Sequence, residues 1–402
     1  MLILMISLLV LQLLLTSTAV GFTSQSSVLR LALLPVMVLV TWNVLTICTK
    51  PHAIHVSART ILGAGSVYRI IHYIAVALLD CWTYEAQGPT SSLGGLEPVL
   101  VNVTPQSTLS WDHFGQRIRF GARISTTTRF PTTRWRVKNV PPFSRSNPDH
   151  VPSKHEFVWH GAIQIIRLAC VLGVATPFSQ WLFRTRAHLF SPSHVPLFAR
   201  IAEVTPEELA VRALGVLIYW TMQYLSLSLL YNSLAVTTVA LQIFGPEEWP
   251  PIFGAIDQAW SIAQFWGCFY HQNIRRSCSS IAHFFTYHIL PFRKGTIVGR
   301  YAFITLVFAI SGVFHHLADI ARMPEGGSAA VQFFLMQPLG IGCERILQTL
   351  YGLSTQLSFV TPTSRKYSQL ILRILGYAWV MTWIVWTSPV WIYSSVRSTV
   401  QG

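Results

Sequence analysis

Apolar stretches of about 20 residues, the length at which an α-helix crosses the hydrocarbon of a bilayer, recur along almost the whole chain. No other feature constrains the fold as strongly. In lipid every backbone N–H and C=O must find its partner inside the protein, so such stretches become helices. The first, MLILMISLLVLQLLLTSTAVGF (1–22), lacks a basic n-region, and its apolar run exceeds the ~7–15 residues of a signal peptide. It reads as a retained span. The others lie at 29–49, 66–82, 159–182, 211–240, 298–318, 330–350 and 369–395, so the hydropathy rule predicts about eight spans in an all-α polytopic transmembrane helical bundle. Residues 209–244 are long for one helix and read either as one or as a span plus an interfacial piece. Residues 279–292 (SSIAHFFTYHILPF) are too short to span and suit a re-entrant segment.

Only 11% of residues are charged, against about 25% in soluble domains. The formal charge of +14 would suggest nucleic acid on a soluble protein; here the positive-inside rule accounts for much of it, and no nucleic-acid partner is expected. Basic residues gather in the connections 83–158 and 245–297, which places both in the cytosol and the termini on the lumenal side. Asn102 lies in an NVT sequon that is usable only from the lumen, so it is expected to be unmodified. The six cysteines are scattered, without CxxC or finger spacing, and indicate neither a disulfide framework nor a structural zinc. With no repeat and no linker tract, residues 1–402 read as a single membrane domain carrying a large polar, basic insertion at 83–158.

Within that insertion, TTRWRVKNVPPF (132–143) interleaves Arg134, Trp135, Arg136 and Lys138. It reads either as a basic loop on anionic headgroups or as a site for a phosphate-bearing ligand at the membrane surface. In the connection 183–210, Thr205, Pro206 and Glu208 have the N-cap, N1 and N3 pattern of a helix start.

Fourteen histidines invite a metal reading. The pairs His52/His55, His283/His288 and His315/His316 do not assemble the HxxxH and HxxHH boxes of a diiron oxygenase, so no metal site is expected. His315 ends the apolar run VGRYAFITLVFAISGVF (298–314). An intramembrane histidine is a functional candidate by default, or else a hydrogen bond to a neighbouring helix. Ser311 and Gly312, one turn before it, are small enough to let a helix or an acyl thioester approach the backbone. His271 closes the aromatic cluster FWGCFY and opens the polar run Gln272, Asn273, Arg275, Arg276. This is the look of a membrane interface, where the ring is either an anchor or part of a site.

The segments FWGCFYHQ (265–272) and SGVFH (311–315), about 40 residues apart, resemble the membrane-bound O-acyltransferase family, specifically its wax-synthase-like branch. RWRVKNVPPF (134–143) is similar to the W-x-V-K-N-x-P segment of the fungal members of that branch. Tyr270 departs from the commoner Trp, and Cys268 with Phe269 from a more basic pair, which bears on donor contacts. The resemblance implies an MBOAT-like bundle with its catalytic core at about 260–320, His315 as the buried base and His271 as the second polar catalytic residue. It makes Trp266, Gln272, Asn273, Ser311, Gly312, Trp135, Lys138 and Asn139 the candidates for substrate contacts. It also implies a multi-pass enzyme of the endoplasmic reticulum with no bound cofactor, which moves an acyl group, most often acetyl, from acyl-CoA to a lipophilic alcohol of the terpenoid or meroterpenoid kind. A long-chain wax-ester or sterol-ester synthase is the alternative inside the family; a diiron oxygenase or a transporter without chemistry stand outside it.

The chemistry suits the residues independently. A hydroxyl of pKa near ~16 attacks a thioester poorly, and a neutral imidazole that takes its proton contributes about 10²–10⁴-fold. A donor at the thioester carbonyl adds roughly 10²–10³; protonated His271, Gln272 or Asn273 qualify by type. The HHLAD run (315–319) also satisfies the HxxxD pattern of soluble CoA acyltransferases, but their DFGWG segment is absent and their fold has no membrane spans.

Overall fold

The computed structural model describes residues 1–50, 55–99, 113–323, 328–356 and 362–401. His52 and the Asn102 sequon lie outside the described residues. Among the described residues the architecture is all-α apart from one hairpin of two-residue strands, in which β1 (Trp82–Thr83) pairs antiparallel with β2 (Gly88–Pro89). Among the described residues, seven helices are long and apolar enough to cross a membrane. Contacts divide the chain into two compact units, residues 1–129 with 273–335 and residues 130–272 with 336–402.

The first unit holds α1 (Leu2–Phe22), α2 (Val28–Cys48), α3 (Val56–Tyr73), α4 (Phe114–Thr126), α8 (Arg275–Phe284), α9 (Ile297–Arg322) and the first turns of α10 (Ala330–Gln356). Helices α1 to α3 are joined by a buried polar knot. Gln12 donates to the Thr41 hydroxyl at 2.8 Å, and Ser66 donates to the Gln12 side-chain oxygen at 3.0 Å. In an apolar setting such bonds fix which faces meet. Met5, Val44, Cys48 and Ala321 belong to a buried apolar cluster that joins these helices to α9. The expected start of the third span at 66 proves too late: α3 begins at Val56, because Arg59, Gly63 and Gly65 dilute the hydropathy of its first turns without ending the helix. Beyond Tyr73 it widens into a π-type segment, Ile74–Leu79.

The basic insertion 83–158 includes regular structure. It contains α4, an amphipathic helix that packs on α1 and buries Phe120 and Ile124. The short segment 279–292 is α8 followed by a π turn, Phe285–Ile289. Asp80, fully buried, receives Arg276 at 2.7 and 2.8 Å and the Ser280 hydroxyl at 3.2 Å, and so pins α8 to the end of the third span.

The second unit holds α5 (Lys154–Thr185), α6 (Pro206–Ala240), α7 (Ile262–Gln264), the remainder of α10, α11 (Pro362–Thr387) and α12 (Pro389–Gln401). The Thr205 hydroxyl accepts from the Glu208 N–H at 3.1 Å, and α6 runs unbroken from there to Ala240, so the long apolar stretch holds one helix rather than two. The expected span 369–395 is divided. Pro389 lacks an N–H and its ring crowds the preceding turn, so α11 stops and the Ser388 carbonyl starts α12, accepting from Trp391 and Ile392. The expected span 330–350 is α10, which is not among the seven apolar helices because it carries Gln337, Glu344 and Arg345.

Candidate active site

The FWGCFYHQ segment begins where Ser261 caps α7, its hydroxyl accepting from the Gln264 N–H at 3.1 Å. The buried Glu344 carboxylate accepts from the N–H groups of Ile262 and Ala263 and from the Trp379 indole at 3.1 Å. The chain then opens into a π turn over Phe265–Phe269, closed by the Tyr270 N–H on the Phe265 carbonyl at 2.7 Å. A π turn leaves carbonyls off the normal ladder, and neighbouring groups take them up. The buried Gln272 amide donates to the carbonyls of Trp266 (2.9 Å) and Tyr270 (2.7 Å). Asn139 donates to the Gly267 carbonyl at 2.9 Å and to Cys268 Sγ at 3.3 Å. The Gly254 N–H donates to the Phe269 carbonyl at 2.8 Å, and a Cβ at Gly254 would stand 2.1 Å from the Cys268 oxygen.

Aromatic rings wall this turn. Trp220 meets Trp266 and Tyr270 edge-on at 5.9 and 5.4 Å, and the Trp266 indole donates to Gln337 at 3.2 Å. His271 sits half-buried beside Tyr270 (4.8 Å) and Phe253 (6.1 Å). Burial pushes the Tyr270 phenol well above its ordinary value, which keeps it neutral.

The second motif lies in α9, in the first unit. His315 Nδ1 is 2.8 Å from the Ser311 carbonyl one turn earlier. A carbonyl only accepts, so Nδ1 carries the hydrogen and the basic lone pair of the neutral ring lies on Nε2. Phe334 stacks on the ring at 4.5 Å and Phe314 meets it edge-on at 4.9 Å. The small residues before it admit a helix: a Cβ at Gly312 would stand 2.9 Å from the Val331 Cα in the first turn of α10. The Ser328 hydroxyl, just before α10, donates to Asp319 at 2.6 Å.

Among the predicted site residues, the structure therefore gathers Trp266, Gln272 and Asn139 around the turn that carries His271, and Ser311 and Gly312 around His315. Trp135 lies under the Arg134 guanidinium at 4.5 Å, Arg136 donates to the Val140 carbonyl at 2.8 Å, and Lys138 is exposed. Asn273 follows in the first unit; its side-chain oxygen is buried with no hydrogen-bond partner among the described residues. No three His, Cys, Asp or Glu side chains among the described residues converge as a metal site; His283 lies 5.7 Å from His288, ring to ring, and bonds the Leu93 carbonyl at 2.9 Å. Burial raises the Cys278 thiol to about 12, which disfavours it as a nucleophile. Gln337, Glu344 and Gly254 escaped the sequence reading. The available signal was a Gln and a Glu seven residues apart in an apolar helix, a spacing that puts them on one face.

The fold and these two segments define a multi-pass α-helical membrane protein with histidine-bearing motifs in and beside its apolar helices. A model of the membrane bound O-acyl transferase family matches residues 249–336, a range that includes both motifs. The chain is 36% identical to acetyltransferase fsoF of Humicola fuscoatra, covering 96% of this chain and 94% of that protein. It is 31% identical to acetyltransferase aurG of Calcarisporium arbuscula, over 94% and 89% of the two chains. The chain thus belongs to the membrane bound O-acyl transferase family, and it is an acyltransferase. No solved structure matches it.

Proposed function

We propose that this enzyme transfers the acetyl group of acetyl-CoA to a hydroxyl of a lipophilic terpenoid or meroterpenoid metabolite, in the endoplasmic reticulum membrane, with His315 as general base. The observation that carries the reading is the bond from His315 Nδ1 to the Ser311 carbonyl, which leaves the proton-accepting lone pair on Nε2. The acceptor's O–H proton passes to Nε2 as its oxygen attacks the thioester carbonyl. The C–S bond then breaks, and the imidazolium returns the proton to the departing thiolate as CoA-SH. General-base help of this kind supplies about 10²–10⁴-fold.

The developing oxyanion needs a donor, worth roughly 10²–10³. Because the Gln272 amide is engaged by the Trp266 and Tyr270 carbonyls, we assign donation to His271 or Asn273 and give Gln272 the task of shaping the turn. Acetyl as the transferred group is supported by the names of the relatives, each an acetyltransferase. Lys138 and Trp135 remain our candidates for contacts to the coenzyme A phosphates, by charge and ring type.

The test supplies microsomes carrying the full chain with acetyl-CoA or palmitoyl-CoA and farnesol, geranylgeraniol or ergosterol, and measures CoA-SH release and ester formation. Acetyl esters of the terpenoid alcohols, lost in His315→Ala at normal protein level, are the expected result. Preferential palmitoyl transfer would replace the reading with wax-ester or sterol-ester synthesis. Activity of His315→Ala above about a tenth of wild type would remove the general base.

A further inference from the structure

We propose that Asp319 is a positioning residue for the transfer: its carboxylate, held by Ser328, steadies the imidazolium that His315 becomes after taking the acceptor's proton. This rests on the general-base role of His315 proposed above. Residues four apart on a helix share a face, and side chains lean toward the helix N-terminus, so Asp319 in α9 leans back toward the turn that carries His315. Asp319 is 7% exposed, in a helix whose preceding stretch, 298–314, is almost wholly apolar. In such a setting the field of a carboxylate on a neighbouring group is screened little.

Its surroundings hold it in one place. Ser328 Oγ donates to Asp319 Oδ2 at 2.6 Å and accepts from the Ala330 N–H at 3.3 Å, while the Ser328 carbonyl lies 3.1 Å from His316 Nδ1. The turns of α10 that follow set Val331 against Gly312 and Phe334 on the His315 ring. One short stretch, 328–334, thus fixes the carboxylate and one face of the imidazole together.

The step balances without another reactant. The acceptor's O–H bond breaks and His315 Nε2 gains the proton; the new C–O bond forms, the C–S bond breaks, and the thiolate receives that proton. Between the two transfers a positive ring stands in a low-dielectric setting, where a fixed opposite charge acts most strongly. The neutral resting ring gains less from it, so the effect falls on turnover more than on substrate binding.

Asp319→Asn, Ser328→Ala and His315→Ala are compared with wild type as full-length chains in nanodiscs, using acetyl-CoA and the fastest acceptor among farnesol, geranylgeraniol and ergosterol. Thermal unfolding is read alongside kcat and KM. The expected result is a fall in kcat of about 10- to 100-fold in Asp319→Asn with both KM values within about twofold, and a smaller fall in Ser328→Ala. If Asp319→Asn does not accumulate, Ser328→Ala alone decides: kcat about 3- to 10-fold down at unchanged KM supports the role, and wild-type kcat overturns it. A lowered unfolding temperature with kcat intact, or a raised KM with kcat intact, makes Asp319 a structural latch and overturns the inference. An active His315→Ala instead removes the general-base reading, whatever Asp319 does.

Discussion

Asn139 carries a backbone φ of 64°, in the left-handed region, and its amide spans the Gly267 carbonyl and Cys268 Sγ. Two separable effects meet in one residue. Asn139→Gly keeps the backbone and removes the bonds, for an expected loss of about 1 kcal/mol; Asn139→Ala adds roughly 1–2 kcal/mol of left-handed strain. Unfolding temperatures in detergent should therefore fall in the order wild type, Gly, Ala, and equal loss in both variants would deny the backbone effect. Gln272 permits a sharper test. It points donors at two carbonyls from a buried site, so Gln272→Glu sets a carboxylate against them. Activity should fall at least as far as in His271→Ala, and an active Gln272→Glu enzyme would mean that the turn does not depend on these bonds.

Helix α10 shows how one element serves several others. Gln337 accepts from the indoles of Trp266 and Trp383 at 3.2 and 3.3 Å, and seven residues later Glu344 accepts from Trp379 and the two N–H groups that open α7. Glu344→Gln keeps one oxygen but turns an NH₂ toward donors, and should cost about 1–3 kcal/mol, read as a lower unfolding temperature. A neutral outcome would show that the carboxylate is not needed as an acceptor there. At the other end, Gly312→Ala places a Cβ 2.9 Å from the Val331 Cα. Backbone, not a flexible side chain, would have to move, at about 1–3 kcal/mol. Because the same turn of α10 holds Phe334 on His315, kcat should fall with stability; full activity in Gly312→Ala would show that the ring does not depend on this packing.

At the scale of the molecule, residues far apart in sequence hold each compact unit together. Asp80 and Arg276 are 196 positions apart, both buried or nearly so, and joined at 2.7 Å. Removing one partner leaves a buried charge unmatched, at about 3–5 kcal/mol, whereas replacing both with apolar groups of similar volume is often neutral. Asp80→Asn should therefore destabilise far more than Asp80→Leu combined with Arg276→Met. If the double variant unfolds as early as the single one, the pair does more than cancel charge. The discontinuity of the units has a practical side: each is built from two separated stretches, so neither can be excised as a linear fragment.

Hydropathy alone set the class of this protein, because a bilayer admits only helices where the backbone has no water to bond. The spans at 1–22, 29–49 and 298–318 lie within about four residues of α1, α2 and α9 for that reason. Local chemistry was also legible: Thr205, Pro206 and Glu208 start α6 as their types require, since a cap is settled within one turn. The motifs carrying His271 and His315 were visible as residue strings, and with them the family. Hidden from the sequence were the events set by packing at long range. The π turn at 265–269 is met by Asn139 from 128 positions before Gly267, and no string of types announces a meeting across more than a hundred residues. Glu344 at the start of α7, 82 positions from Ile262, is a meeting of the same kind; the Nδ1–Ser311 bond is local, between residues four apart on α9, yet depends on the rotamer of the ring. Spans follow from the solvent each segment must face; the partners of a side chain follow only from which segments the fold brings together.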